Sequence, residues 1–178
     1  MSRLEYLLKQ HESLRDWYKQ SEDKAKFLVT VNTLVVGVVN GLVFVGADKF
    51  RTVRPIYTTP IWILLGLSGI ALVGSYLFIL RAMWPRHHTR DASLKDSRRI
   101  WFFGDIASMS REDHTAAVGE WSEQAFEEAL IAQSHILSTN VWTKHEALNR
   151  AIALTIVALI LLFVLGVAYA IAIASTPL

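Results

Sequence analysis

Residues 151–174 read AIALTIVALILLFVLGVAYAIAIA, and none of these 24 positions carries a charged side chain. Two other runs share this property: residues 27–47 over 21 positions and residues 61–80 over 20 positions. At a rise of about 1.5 Å per residue, each run can cross a hydrocarbon core of about 30 Å. None shows the polar face that a surface helix of a soluble protein needs. The pattern predicts an all-α membrane protein with three transmembrane helices and a cytoplasmic helical extension.

The distribution of lysine and arginine predicts the orientation of these spans. Six of the 18 cations precede the first run, three lie in residues 48–60, nine lie in residues 81–150, and none follows residue 174. Cytoplasmic segments carry the excess of positive charge. We therefore expect residues 1–26 and the segment 81–150 in the cytoplasm. The short loop 48–60 and the C-terminus are expected on the opposite side.

The polar segments carry helical patterns of their own. Residues 1–26 place apolar side chains at helical spacing, which predicts an amphipathic helix that continues into the first span. Ser110 and Asp113 have the spacing of a capping box, so a second helix is predicted to start near Arg111. That helix could continue into the third span. A break is plausible at Gly119 or within residues 138–143, where the residues are weaker helix formers.

Small and amide side chains mark one face of the first span. Gly37 and Gly41 form a small-xxx-small pair, which allows close approach of helices and favours a homo-oligomer. Asn32 and Asn40 carry amides, and an amide in hydrocarbon requires a hydrogen-bonding partner. Two interpretations stay open at this point: hydrogen bonds between helices, or a polar lining for a pore in an oligomer.

Several classes of function lack support in the sequence. There is no cysteine, so disulfides and thiolate metal sites are excluded, and the six histidines lack the spacing of a metal site. No nucleophile elbow, P-loop, HExxH motif or pair of catalytic carboxylates is present, so no catalytic residue and no enzyme activity is predicted. The net charge of +2 gives no reason to expect nucleic-acid binding, because the cations lie where membrane insertion needs them.

One combination of residues resembles a known family. It comprises Asp23-Lys24-Ala25 before the first run, Asn32 within it, the block Trp101-Phe102-Phe103-Gly104-Asp105-Ile106-Ala107, and Lys144 before the last run. Together these resemble the Pycsar membrane-effector (PycTM-like) family, over about residues 15–174. One position departs from the pattern: His114 stands where a tyrosine is expected.

The resemblance implies a role in bacterial antiphage defence. It implies an inner-membrane location, so that the C-terminus would be periplasmic, and a functionally linked nucleotide cyclase. A cyclic pyrimidine mononucleotide, cyclic UMP or cyclic CMP, would act as the activating ligand, and the effector would then impair the lipid bilayer. The alternative is a non-enzymatic membrane scaffold or accessory subunit that binds a partner through its cytoplasmic helices. A channel or transporter is a third class, which the lack of intramembrane charges disfavours.

A cyclic mononucleotide presents one phosphate charge and one flat base. Arginine suits the phosphate and an aromatic ring suits the base. Arg98, Arg99, Trp101 and Phe103 are therefore the candidate ligand contacts. The competing interpretation is that these side chains anchor the chain at the membrane interface, where arginine and tryptophan are common.

Overall fold

The computed structural model describes residues 2–43, 59–84, 103–119 and 122–174. Within these ranges the backbone forms five α-helices and no β-strand, which confirms the predicted all-α fold. The helices are α1 (Arg3–Val43), α2 (Thr59–Met83), α3 (Phe103–Ser108), α4 (Arg111–Gly119) and α5 (Glu123–Ala174). The chain divides into two compact units. Unit 1 comprises Met1–Ser21 and Pro85–Thr143, and unit 2 comprises Glu22–Trp84 and Lys144–Leu178.

Serine side chains cap the starts of three helices. At α1, the Ser2 hydroxyl accepts a hydrogen bond from the Glu5 amide and the Glu5 carboxylate accepts one from the Ser2 amide. At α4, the Asp113 amide donates to the Ser110 hydroxyl at 3.0 Å, which confirms the predicted cap. Ser122 accepts from the Ala125 amide at the start of α5. Each cap satisfies an amide that has no partner within its own helix.

The structure contains one of the two helix breaks that the sequence allowed. α1 begins at Arg3 and continues through the predicted junction at residue 26, as expected. α4 ends at Gly119, one of the two predicted break points. The predicted break within residues 138–143 is wrong, since these residues are helical within α5, and the hydroxyls of Ser138, Thr139 and Thr143 donate to carbonyl groups of the preceding turn.

Two of these helices could cross a membrane by length and composition. The most apolar 18-residue stretch has a mean hydropathy of 2.3 in α2 and 3.0 in α5. Only 28% of this stretch in α2 and 17% in α5 is buried within the protein. A core helix of a soluble protein would be mostly buried. The outward large apolar side chains of α2 and α5 instead match a lipid environment.

The structure supports two spans rather than the three predicted, in the part of the chain that it describes. The missing one is the run at residues 27–47. α1 is described only as far as Val43, and Asn32 and Asn40 lower the hydropathy of the remaining stretch. α2 also begins earlier than expected, at Thr59, because Pro60 is compatible with the first turn of a helix.

Candidate functional site

The predicted nucleotide contacts lie outside the described residues. Arg98, Arg99 and Trp101 belong to the segment 85–102, and Phe103 begins α3 without a described side chain. Their role as ligand contacts therefore stays a prediction. The described residues instead contain an arrangement in unit 2, predicted only in part, where three polar side chains from three helices meet.

Asn32 of α1, Ser75 of α2 and Thr155 of α5 form this polar layer. The Asn32 amide nitrogen donates to the Ser75 hydroxyl at 2.9 Å, and the Thr155 hydroxyl donates to the Asn32 amide oxygen at 3.0 Å. The Ser75 hydroxyl lies 2.9 Å from the Thr155 hydroxyl and 3.0 Å from the Ala151 carbonyl oxygen. The three residues are between 0% and 4% exposed. The network therefore joins all three helices inside the protein.

The hydrogen atoms of the polar layer can be assigned from this geometry. Thr155 has one hydroxyl hydrogen, and Asn32 offers it an amide oxygen that can only accept. The Ser75 hydroxyl accepts from Asn32, so its own hydrogen is shared between the Ala151 carbonyl and the Thr155 oxygen. Each side chain thus donates and accepts. A network satisfied in this way offsets the cost of placing an amide and two hydroxyls in hydrocarbon.

Apolar layers enclose the polar layer on both sides. One helical turn away lies a cluster built from all three helices: Ala25, Leu28, Ile79, Ala82, Ala147, Leu148 and Ala151. One turn in the other direction lie Ala71, Leu72 and Ala158, packed against Val35 and Val36. The helices share this register because the residues recur at three- and four-residue spacing. The apolar layers separate the polar layer from water at both ends.

A buried cation lies beyond the first apolar layer. The Lys144 ammonium forms a salt bridge of 3.1 Å with the Glu22 carboxylate. The Lys144 side chain is 4% exposed, whereas that of Glu22 is 43% exposed. The pair therefore has one member inside unit 2 and one in contact with solvent. Removing the carboxylate would leave the ammonium in a poorly hydrated place, which is costly.

Two of the five residues in these contacts were identified from the sequence. Asn32 and Lys144 were identified, and the interpretation of Asn32 as a donor between helices is confirmed within a single chain. Ser75, Thr155 and Glu22 were missed. The available signal was modest: Thr155 is the only hydroxyl in residues 151–174 apart from Tyr169. A lone hydroxyl in such a run is a candidate partner for an amide elsewhere.

Unit 1 has its own polar contact between α1 and α5. The imidazole Nδ1 of His11 lies 3.2 Å from the Ser134 hydroxyl. Burial, and secondarily the charge of Arg15, lower the pKa of His11 below its usual 6.5. Arg3 also forms a salt bridge with Glu127 at 3.3 Å. Among the described residues, no three histidine, aspartate or glutamate side chains are grouped as metal ligands would be.

Comparison with known proteins gives one match. No curated protein and no solved structure matches the chain. The family model PycTM, described as the Pycsar effector protein domain, matches residues 6–172. This range includes the polar layer, the Lys144–Glu22 salt bridge and the aromatic block around Phe103. The chain therefore belongs to the Pycsar effector family of antiphage defence proteins.

Proposed function

We propose that this effector impairs the bacterial inner membrane when a cyclic pyrimidine mononucleotide, cyclic UMP or cyclic CMP, binds on its cytoplasmic side. The observation that carries the proposal is the family match over residues 6–172. Two helices with the length and hydropathy of membrane spans support an action in the bilayer itself. A functionally linked nucleotide cyclase would supply the ligand. The chain would act without catalysis of its own.

The polar layer suggests how a resting state could be maintained. In the closed bundle, Asn32, Ser75 and Thr155 satisfy one another. If the three helices separate, the same groups need new partners, and water or a second copy of the chain can provide them. An activated arrangement would then place an amide and two hydroxyls along a hydrated path. We propose that breaking this layer accompanies the loss of the membrane barrier.

The orientation is proposed from the positive charges. The six cations before Phe27 and the nine in residues 81–150 support a cytoplasmic location for both segments, with Leu178 in the periplasm. The chain must then cross the membrane before Thr59, and α1 is the segment available. α1 is more polar than the two spans. Its packing supports the crossing, because Asn32 is satisfied by α2 and α5 while Leu34 and Val38 face outward.

Reporter fusions test this orientation. A reporter after Ser93 should give a cytoplasmic signal, and one fused at Leu178 should give a periplasmic signal. The same compartment for both reporters would contradict the proposal. A third reporter at Ser2 separates the remaining alternatives, because a periplasmic signal there would mean that α1 does not cross.

The ligand must bind the active arrangement more tightly than the resting one. To shift the active fraction from 1% to 99%, the difference must be about 5.5 kcal/mol. One charge-assisted hydrogen bond supplies about 1.5–3 kcal/mol. Arg98 and Arg99 on the phosphate with Trp101 and Phe103 on the base could approach the required value together. Several equivalent sites in a homo-oligomer would add to it.

Expression with an active pyrimidine cyclase tests the function. The inner membrane should lose its potential when both proteins are present, and the effector alone should be tolerated. Arg99→Glu and Trp101→Ala, made separately, should abolish the response without lowering the amount of protein in the membrane. Arg111→Glu on α4 is the matched control and should respond as the unmodified protein does.

The outcomes separate the alternatives. If both variants still respond fully, Arg99 and Trp101 are interfacial anchors and the ligand binds elsewhere. If the unmodified protein gives no depolarisation at any level of cyclic UMP or cyclic CMP, the membrane-impairing function is wrong. A scaffold role would then take its place.

A further inference from the structure

An apolar groove lies between the three helices of unit 2, beyond the polar layer. Its volume is about 450 Å³. α1 contributes Val35 and Val39, α2 contributes Leu65, and α5 contributes Leu162, Gly166 and Tyr169. Among the lining residues that the structure describes, Tyr169 has the only side-chain hydroxyl and none is charged. The groove therefore offers no charged group that could bind a nucleotide or an ion.

Water is a poor occupant of this space. A buried water needs between two and four polar partners, and apolar cavities stay dry. An empty groove is also unfavourable, because its lining loses dispersion contacts on one side. Leu34, Val38 and Phe163 also line the groove and are among the most exposed large apolar residues of the protein. The medium that meets these side chains in a bilayer is hydrocarbon.

The length of the groove matches one leaflet. From Leu159 to Tyr169 the α5 lining rises by about 15 Å, at about 1.5 Å per residue. Half of a hydrocarbon core of about 30 Å is also about 15 Å. Tyr169 lies at the C-terminal end of this stretch, and tyrosine is typical of the level where hydrocarbon meets headgroups. The groove thus extends from that level toward the centre of the bundle.

We propose that this groove binds one acyl chain of a phospholipid from the surrounding bilayer, as a structural part of the folded bundle. The acyl chain would fill the space between the helices beside Gly166, which has no side chain. Binding would stabilise unit 2 in the arrangement described above. This proposal does not depend on nucleotide activation or on membrane impairment, and each can fail without the other.

A pair of glycine substitutions tests the proposal. A Cβ atom added at Gly166 or at Gly69 meets no atom of the described residues within 4 Å, so both positions accept a side chain. Gly166→Leu places that side chain in the groove, whereas Gly69→Leu places it on α2 away from the groove. Both variants should therefore fold, and they differ only in whether the groove is filled.

Thermal unfolding of the full chain in delipidated detergent micelles is the first measurement, with phosphatidylglycerol carrying palmitoyl and oleoyl chains as the probe. At lipid about 100-fold above its Kd, the unmodified protein and Gly69→Leu should gain about 5–10 °C. Gly166→Leu should gain less than a third of that shift. Equal shifts for all three proteins would overturn the proposal.

Crosslinking gives an independent measurement. Phosphatidylglycerol with a diazirine in one acyl chain should label Val35 and Leu162 in the groove of the unmodified protein, and Gly166→Leu should lose this labelling. Ile70 and Leu77, which are exposed on α2 away from the groove, should be labelled equally in both proteins. Labelling confined to Ile70 and Leu77 would refute lipid occupancy.

Discussion

Replacing Thr155 by valine removes one hydroxyl from the polar layer and keeps the β-branched shape of the side chain. The lost hydrogen bond is the 3.0 Å contact from Thr155 to the Asn32 amide oxygen. The Ser75 hydroxyl also loses its 2.9 Å neighbour, although it retains the Ala151 carbonyl as an acceptor. The Asn32 oxygen is left as a fully buried acceptor without its donor.

The expected loss of stability follows from two magnitudes. A hydrogen bond between membrane helices contributes about 0.6 kcal/mol on average and about 1.7 kcal/mol at most. An acceptor left buried without a donor costs about 1–3 kcal/mol. Thr155→Val should therefore lower the free energy of unfolding by about 1–3 kcal/mol. Reversible unfolding in mixed micelles with increasing dodecyl sulfate, followed by tryptophan fluorescence, measures this quantity.

Thr30→Val is the matched control. The Thr30 hydroxyl is exposed and donates only to the Lys26 carbonyl of its own helix. Its replacement should cost no more than about 0.5 kcal/mol. In a double-mutant cycle, Thr155→Val and Ser75→Ala should show a coupling of about 0.5–1.7 kcal/mol. If Thr155→Val costs no more than Thr30→Val, the polar layer does not hold the helices together.

Three further changes have expected outcomes. Glu22→Gln should destabilise the chain by about 1–2 kcal/mol in the same unfolding assay, because the buried Lys144 ammonium loses the Glu22 carboxylate. The control is Glu146→Gln, which breaks the exposed pair with Arg150 and should cost under about 1 kcal/mol. Burial lowers the pKa of His11, so its contribution to stability is complete above pH 6.5 and is lost as the pH falls through the lowered pKa. His11→Gln should reduce the difference between unfolding midpoints at pH 8 and pH 5, and an unchanged difference would contradict this. Gly41→Leu should weaken self-association in cross-linking or light-scattering measurements, since a Cβ there meets none of the described residues within 4 Å. An unchanged oligomer would place the interface elsewhere.

Local features of the fold could be predicted from the sequence, because they depend on neighbouring residues. The cap at Ser110 and the helix end at Gly119 need only a few positions of context. The helix through residues 138–143 could not be predicted from their weak helix propensities, because propensity is a small effect that packing of the whole helix overrides.

The polar layer could be predicted only in part. Asn32 is conspicuous in an apolar run, yet its partners lie 43 and 123 positions away. Ser68 and Ser75 lie seven residues apart on the same face of α2, so choosing Ser75 requires the axial register of α2 against α1, which depends on packing over the whole bundle. The membrane assignment was predicted for α2 and α5, which are long and apolar enough to span. The third predicted span, at residues 27–47, is described only as far as Val43.

The long separation of the polar partners has a consequence for biosynthesis. At about 5–20 residues per second, Ser75 leaves the ribosome about 2–9 s after Asn32, and Thr155 follows about 4–16 s later. During that second interval, the Asn32 amide oxygen in a hairpin of α1 and α2 lacks its donor, the Thr155 hydroxyl. The last helix of a neighbouring nascent copy carries the same threonine. Dense translation on one messenger would therefore favour exchange of α5 between copies, and slower translation would favour closure within each chain.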